Sequence, residues 1–334
     1  MTMRIGLTYD LAADWTEDGL DAENLAEFDA PETITAVVKF LDRCGHRVEC
    51  IGRAQALVSR LAEGGRWDLV FNICEGRHGA GREALVPALL EAYCVPYTFS
   101  DPLVLAVALH KGVTKRLLRD AGLPTAPFTV LRAAGHAANM PFPLFVKPVA
   151  EGTGKGIDGS SLCRDADELA AAVGRVAVRF GQEALVESYL PGREFTVGVL
   201  GTGEAARILG VMEILAKATY GFATKKDYRG RVAYRLADDA EARTAGRAAL
   251  AAWRVLGGRD GGRIDLKSDG EGKPMLLEIN PLAGLHPVDS DLVILAGLAG
   301  YSHEWLLEQI FRAACARTGL AWTGADWREM QAAN

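Results

Sequence analysis

Over the first hundred residues the chain alternates between short apolar runs and apolar positions at helical spacing. Arg4–Tyr9 is a short apolar strand. Ala30-Pro-Glu-Thr opens a helix whose apolar positions are Val37, Val38, Phe40 and Leu41, and Gly45 ends it. His46–Ile51 reads as the next strand and Gln55–Glu63 as the next helix. Asp68–Cys74 (DLVFNIC) is nearly all apolar, as a strand buried on both faces of a parallel sheet must be. A helix over Glu83–Tyr93 and a strand Pro96-Tyr-Thr-Phe follow. Strand alternating with helix predicts a small doubly wound α/β domain.

A second region runs from about Ala106 to Leu190. It contains a helix Ala106–Ala121, stopped by Gly122 with Pro124 beyond it. Strand Phe142–Pro148, a glycine-rich loop, helix Asp165–Phe180 and strand Ala184–Tyr189 come next. From Gly192 onward the pattern gives long strands, helix Ala240–Leu256, a hairpin, helix His303–Thr318 and a final dozen residues with weak signals of order. A chain of 334 residues exceeds one typical core. The expected domains are 1–105, 106–190 and 191–334.

The hairpin GGRIDLKSDGEGKPMLLEINP has two extended runs around a DGEG turn. A turn centred between Glu271 and Gly272 pairs Asp265 with Glu278 and Arg263 with Asn280. Side chains alternate faces with period two. Arg263, Asp265, Glu278 and Asn280 then share one face, while Ile264, Leu266, Leu277 and Ile279 share a core face. Two opposed acids repel unless a cation compensates. All-oxygen donors favour a hard ion, and a nucleotide phosphate would complete a magnesium octahedron at about 2.0–2.1 Å. The alternative is the polar face of an amphipathic hairpin. The grouping depends on register, because a one-residue slip would scatter it.

Strand Phe142–Pro148 runs into KPVAEGTGKGIDGSS, with glycines at 152, 154, 156 and 159. Successive N–H groups in such a loop can form an anion-binding nest. Lys147 and Lys155 could both reach a phosphate; a flexible, solvated loop is the plainer alternative. A Walker A loop is excluded, because its first glycine and its hydroxyl residue would fall on Val149 and Gly156. Lys111 and Lys115 lie one helical turn apart. Glu187 and Glu194 flank the segment ESYLPGRE, where a carboxylate could accept ribose hydroxyl bonds. Taken singly, each of these charges is equally at home on a solvated surface.

Apolar residues make up 49% of the chain and charged residues 24%, with a net charge of −6. No basic footprint for nucleic acid is visible. An acidic protein that binds a phosphate-bearing ligand must concentrate its basic groups locally, so individual lysines become informative. Cysteines at 44, 50, 74, 94, 163 and 315 form no CxxC and no zinc spacing. Scattered thiols behind an N-terminus without signal-peptide character point to a reducing, cytoplasmic compartment. No stretch approaches the roughly 18 apolar residues of a membrane span.

In order along the chain, VFNICEGRHGAGREALVPALLE, VPYTFSD, ALHKGVTKRLLRDAGLPTAPF, FVKPVAEGTGKGI, LVESYLPGREFTVGVLG and GGRIDLKSDGEGKPMLLEINPLAGLHPVDSD resemble the ATP-grasp ligases. Within that superfamily they resemble the D-alanine–D-alanine ligase family, over roughly Asp68 to Gln309. The resemblance implies a three-domain α/β (α+β) ATP-grasp fold with ATP held between the central and C-terminal domains. It implies that Asp265, Glu278 and Asn280 hold two Mg2+ ions. Lys111, Lys147 and Lys225 would face phosphate, with Lys226 close enough to leave the last assignment open. Glu151, Gly152, Thr153 and Gly154 would belong to a lid loop. Glu187, Ser188, Tyr189 and Leu190 would border adenine, Leu277 would lie beneath it, and Glu194 would meet the ribose. Arg263 and the backbone at Gly284 would form an oxyanion hole, and Ser290 best matches a substrate-side serine. The implied reaction joins a carboxylate to an amine, both from small amino-acid substrates, through an acyl phosphate. The family's frequent dimerisation leaves a homodimer open. A ligase with a thiol or hydroxyl nucleophile, and a non-catalytic ATP-binding accessory protein, are the alternatives.

The chain departs from the family on the substrate side. The glycine-rich, acid-containing motif after the first strand is missing, although the segment offers Asp10, Glu27, Asp29 and Glu32. The loop EGRHGAGRE carries Glu75, Arg77, His78 and Arg82, which could bind a second carboxylate or pair with neighbouring acids. Lys226 replaces a tyrosine, and Ser290 is displaced by one residue.

Overall fold

The parallel sheet expected at the N-terminus forms in the computed structural model from β1 (Arg4–Thr8), β2 (Arg47–Gly52) and β3 (Leu69–Asn72), in the order β2-β1-β3. The structure describes residues 2–18, 23, 25–133, 139–216 and 232–322. The last dozen residues and both Lys225 and Lys226 lie outside the described residues. Helices α1 (Pro31–Arg43), α2 (Ala54–Ala62) and α3 (Leu85–Ala92) connect and flank the sheet. Every residue of β3 is buried, which explains the unbroken apolar run. The Pro96–Phe99 segment is no full strand. It makes one bridge, Tyr97 to Val70, and then turns away at Phe99, whose φ is 70° and whose N–H donates to Asp260 at 2.8 Å.

The single helix expected over Ala106–Ala121 is two helices, α4 (Pro102–Leu109) and α5 (Lys111–Asp120). The break is at His110, with φ −89° and ψ 89°, whose Nδ1 accepts from the N–H of Val113. Lys111 N–H bonds Val149 O at 2.9 Å instead of a helical carbonyl. This break turns Lys111 into the first residue of a new helix.

An antiparallel sheet follows in the order β4-β7-β5-β6, from β4 (Phe128–Leu131), β5 (Leu144–Pro148), β6 (Leu162–Cys163) and β7 (Ala184–Ser188). Helix α6 (Ala166–Phe180) packs on it, capped by Asp165 and ended by Gly181 in the left-handed region. The third sheet has the order β10-β9-β8-β11-β12. Its strands are β8 (Glu194–Leu200), β9 (Arg207–Ala216), β10 (Val232–Leu236), β11 (Gly261–Ser268) and β12 (Pro274–Asn280). Helix α7 (Ala240–Leu256) buries Ala245, Ala249, Ala252 and Trp253 against Val197, Val199, Ile264 and Leu276 of this sheet.

Two helices close the described chain, α8 (Asp291–Leu298) and α9 (His303–Thr318). The first was not expected, because LVILAGL is apolar on every side and carries no helical period. Both share one core with the first sheet, uniting Ile5, Leu7, Phe40 and Phe71 with Leu292, Leu306, Ile310 and Phe311. Among the described residues, no helix is long and apolar enough to cross a membrane.

Candidate functional site

The hairpin β11–β12 pairs Asp265 with Glu278 and Arg263 with Asn280, as the turn and the alternation require. Beyond Asp265 the register shifts, and Leu266 faces Leu276 instead of Leu277. The extra residue is a β-bulge, which re-aims one side chain. Leu276 is fully buried in the core, whereas Leu277 joins the wall of a cleft. The expected placement of Leu277 on the core face is therefore corrected: the bulge puts it beside Glu278 on the open side.

That cleft, about 670 Å³, lies between the second and third sheets. Lys147, Glu187, Ser188, Tyr189, Leu190, Glu194, Gly154, Asp265 and Leu277 all line it. A second cleft of about 600 Å³ takes Arg263, Asn280, Gly284, Ser290, Gly152 and Thr153 into its wall. Lys111, Glu151 and Glu278 line both clefts. The two spaces thus meet at the hairpin carboxylates. All the residues to which the family resemblance gave a role, and that are described, fall on one wall or the other, whereas Lys115, Arg77, His78 and Arg82 line neither.

The charges at the meeting point are paired. Arg263 bonds Asp265 and approaches Asp291 at 3.5 Å. Thr196 Oγ1 donates to Asp265 at 2.7 Å and the Asn280 amide at 3.2 Å. Lys111 Nζ lies 3.2 Å from Glu278. Lys115 and Lys147 clamp Glu187 at 2.9 and 2.7 Å. Burial opposes charge on Glu187, but the two lysines overcome it and hold its carboxyl down at about 2. Burial lowers Lys115, and neighbouring Lys147 adds to that; burial also opposes charge on Lys147, but Glu187 and Glu278 outweigh it and raise that pKa. Glu187 is thus anchored by its lysines, and Lys115 also reaches Leu276 O at 3.1 Å. Lys267 holds Glu194 at 2.7 Å.

The loop after β5 is clasped from the N-terminal segment. Glu27 accepts from Gly152 N–H at 2.7 Å and meets Lys155 at 3.0 Å and Arg82 at 3.2 Å. A Cβ on Gly152 would stand 2.7 Å from the Glu27 carboxylate, so a side chain there would push that carboxylate off the loop. Burial works against ionised Glu27, yet Arg82 and Lys155 hold its pKa below the usual value. Of the arginines in EGRHGAGRE, Arg82 is used in this pair and Arg77 lies over the Trp15 ring, 5.1 Å from its centroid. The pairing alternative holds for Arg82. On the far wall, Ser290 Oγ accepts from His286 N–H at 2.9 Å and stands 2.9 Å from where a Gly284 Cβ would be. The serine thereby pins the loop that presents Gly284.

Three hard-oxygen side chains, Asp265, Glu278 and Asn280, face the join of the clefts. Among the described residues no three His, Cys, Asp or Glu side chains converge to hold a metal by themselves. The donor set therefore fits a hard divalent ion that brings further oxygens with it, as a nucleotide phosphate does. Sequence reasoning missed Thr196, Lys267 and Glu83. A threonine in a strand or an acid at the start of a helix carries no signal until the fold places it beside a carboxylate.

Residues 117–312 match the family model described as D-ala D-ala ligase C-terminus. A D-alanine–D-alanine ligase of Gluconobacter oxydans is 35% identical over 293 residues, covering 84% of this chain and 93% of that one. An uncharacterized protein of Sinorhizobium fredii is 32% identical over 299 residues, covering 84% and 86%. The fold is similar to that of the D-alanine–D-alanine ligase of Bacillus anthracis complexed with ATP, with a TM-score of 0.71 at 20% identity, covering 95% of this chain and 99% of that one. It is also similar to the VanG D-Ala:D-Ser ligase of Enterococcus faecalis, with a TM-score of 0.72 at 18% identity, covering 94% and 100%.

Proposed function

Because the chain belongs to the D-alanine–D-alanine ligase family of ATP-dependent, ADP-forming ATP-grasp ligases, we propose that it joins the carboxylate of one amino acid to the amine of another, with a substrate side different from that of its relatives. The observation that carries the reading is the pair of clefts meeting at Lys111, Glu151 and Glu278. ATP fills the cleft between the second and third sheets, with adenine over Leu277 and beside Ser188–Leu190 and its ribose at Glu194. Lys111 and Lys147 draw the triphosphate toward the join. The amino acids occupy the second cleft. The proposed units are 1–105, 106–190 and 191–334, with the nucleotide between the last two.

Asp265, Glu278 and Asn280 would hold Mg2+, which supplies neutralisation of the triphosphate and orientation of its terminal phosphate. Lys111 then points the terminal phosphate at a substrate carboxylate arriving from the second cleft. Attack by that carboxylate on the γ-phosphorus gives an acyl phosphate and ADP. The amine attacks the activated carbonyl and phosphate leaves. Arg263 and the N–H at Gly284 stabilise the oxyanion, at about 3–4 kcal/mol per donor in comparable sites. Ser290 fixes the Gly284 loop. The loop Glu151–Gly154, held by Glu27, keeps water from the acyl phosphate. Six free cysteines support a reducing, cytoplasmic setting.

ADP release is to be measured across D- and L-amino acids and small carboxylic acids, with hydroxylamine as a trap for the acyl phosphate. Substrate-dependent turnover is expected, and its absence on the whole panel would sink the ligase reading. Glu278→Gln and Asp265→Asn are each expected to abolish magnesium-dependent turnover with the melting profile preserved. Full activity in either removes the metal assignment.

A further inference from the structure

Lys115 is fully buried on α5, one helical turn after Lys111, and it lines neither cleft. Its Nζ stands 2.9 Å from the Glu187 carboxylate of β7 and 3.1 Å from Leu276 O of β12. It also lies 5.7 Å from the centroid of the Phe128 ring. Burying an ammonium is costly, and a well-packed apolar side chain of similar volume often serves stability as well or better. Packing alone therefore gives no reason for a lysine at this place.

The charges around it do. Glu187 divides its carboxylate between two lysines: Oε2 meets Lys115 at 2.9 Å and Oε1 meets Lys147 at 2.7 Å. None of the three side chains is more than 6% exposed, so solvent and salt screen them little. Two ammoniums and one carboxylate leave this group a positive charge in surplus. Glu187, held down at about 2, is the carboxylate of such a group.

The other cations of the first cleft are more fully matched. Lys111 and Lys267 each have an acid, Glu278 at 3.2 Å and Glu194 at 2.7 Å. Lys155 has Glu151, and shares Glu27 with Arg82. Arg193 meets three acids. Glu278 and Glu194 also act on Lys147, but each has a lysine of its own. Lys147 differs from these cations because the acid it touches is already answered by a second lysine.

Resting on the reading of the first cleft as the nucleotide site, we infer that Lys115 is a positioning residue for the nucleotide and acts through Glu187. By answering that carboxylate from behind, it leaves the charge of Lys147 open to the phosphates. The bond to Leu276 O holds the Lys115 ammonium in this place, out of a ligand's reach. Phosphate binding then depends on a residue that no ligand touches.

The test is titration calorimetry of the full-length protein with Mg-ADP and with adenosine, which has the base and ribose without the phosphates. Lys115→Met is expected to weaken Mg-ADP by at least about tenfold and to leave adenosine within about twofold, since only the phosphates feel the missing charge. Lys115→Met combined with Glu187→Gln leaves Lys147 alone and restores the surplus of one charge. That double variant is expected to bind Mg-ADP within about threefold of the original chain, a non-additivity that marks coupled residues. Equal losses of Mg-ADP and adenosine in Lys115→Met mark a structural lysine and overturn the inference. A double variant at least about tenfold weaker than the original chain overturns it too, and decides alone if Lys115→Met does not fold. Unchanged Mg-ADP affinity in a folded Lys115→Met removes this inference and leaves the nucleotide site standing. Failure of the original chain to bind Mg-ADP removes the reading of the cleft and the inference with it.

Discussion

Glu187 is buried and Glu83 half-buried in a cleft wall, and their surroundings drive them in opposite directions. Lys115 and Lys147 flank Glu187 and depress its carboxyl to about 2. Its folded pKa lies below the unfolded value near 4.5, so its contribution to stability is present above that value and is lost as pH falls toward 2. Glu83 has burial first, then nearby Glu27 and Glu278, acting against its charge, with Arg82 and Lys111 as partial compensation, and it is pushed up to about 7. The folded protein therefore binds a proton more tightly than the unfolded chain between about 4.5 and 7, and stability declines as pH rises through that window. Glu83→Gln is expected to leave stability near its original value at pH 5 and to raise it at pH 8, by on the order of 1 kcal/mol. Urea melts at the two pH values check this, and equal curves at pH 8 contradict it.

At the scale of elements, the bulge in β12 separates two adjacent leucines into different tasks. Leu276 is enclosed by the α7 core, and Leu276→Ala is expected to cost about 2–5 kcal/mol. Leu277→Ala is expected to leave the denaturation midpoint almost unchanged and to raise the KM for ATP several-fold, because its side chain faces the cleft. Chemical denaturation and ATP titration of the two variants separate these effects. The carboxylate end of this hairpin was legible in the sequence because a DGEG turn and strict alternation define a register. The bulge was not, since a period of two carries no mark for an inserted residue. The break at His110 was illegible for a different reason. Gly112 lies two residues on but inside the new helix, so it does not mark the break, and the competing bond from Lys111 N–H goes to Val149, on another element. Asp165 and Gly181, by contrast, mark both ends of α6 by local capping chemistry, and those ends were readable.

Across the whole molecule, Glu27 ties the N-terminal segment to a loop 125 residues away. The sequence showed that acids were present in this segment. It could not show that one of them would reach Gly152 and Lys155, because that contact depends on how the first sheet docks against the others. Glu27→Gln removes the charge that Arg82 and Lys155 answer. The variant is expected to release ADP without forming product and to be cut faster by protease within Ala150–Ile157, both measured against the original chain. Tight coupling of ADP to product in the variant would falsify the role of this contact in excluding water.

The shared core beneath the first sheet has a consequence for descent. Phe311 of α9 stacks on Phe71 and meets Phe40 edge-on, with ring centroids 6.5 and 6.3 Å apart. A recombination that exchanged only residues 1–105 with a relative would transplant Glu75 and Glu83 of the second cleft but seat their sheet on a foreign helix. The exchange is expected to fold where α9 travels too, because the two share one core. Under the proposed function, the N-terminal wall of the second cleft and the helix that seats it would have to be inherited together, although about 200 residues of chain separate them.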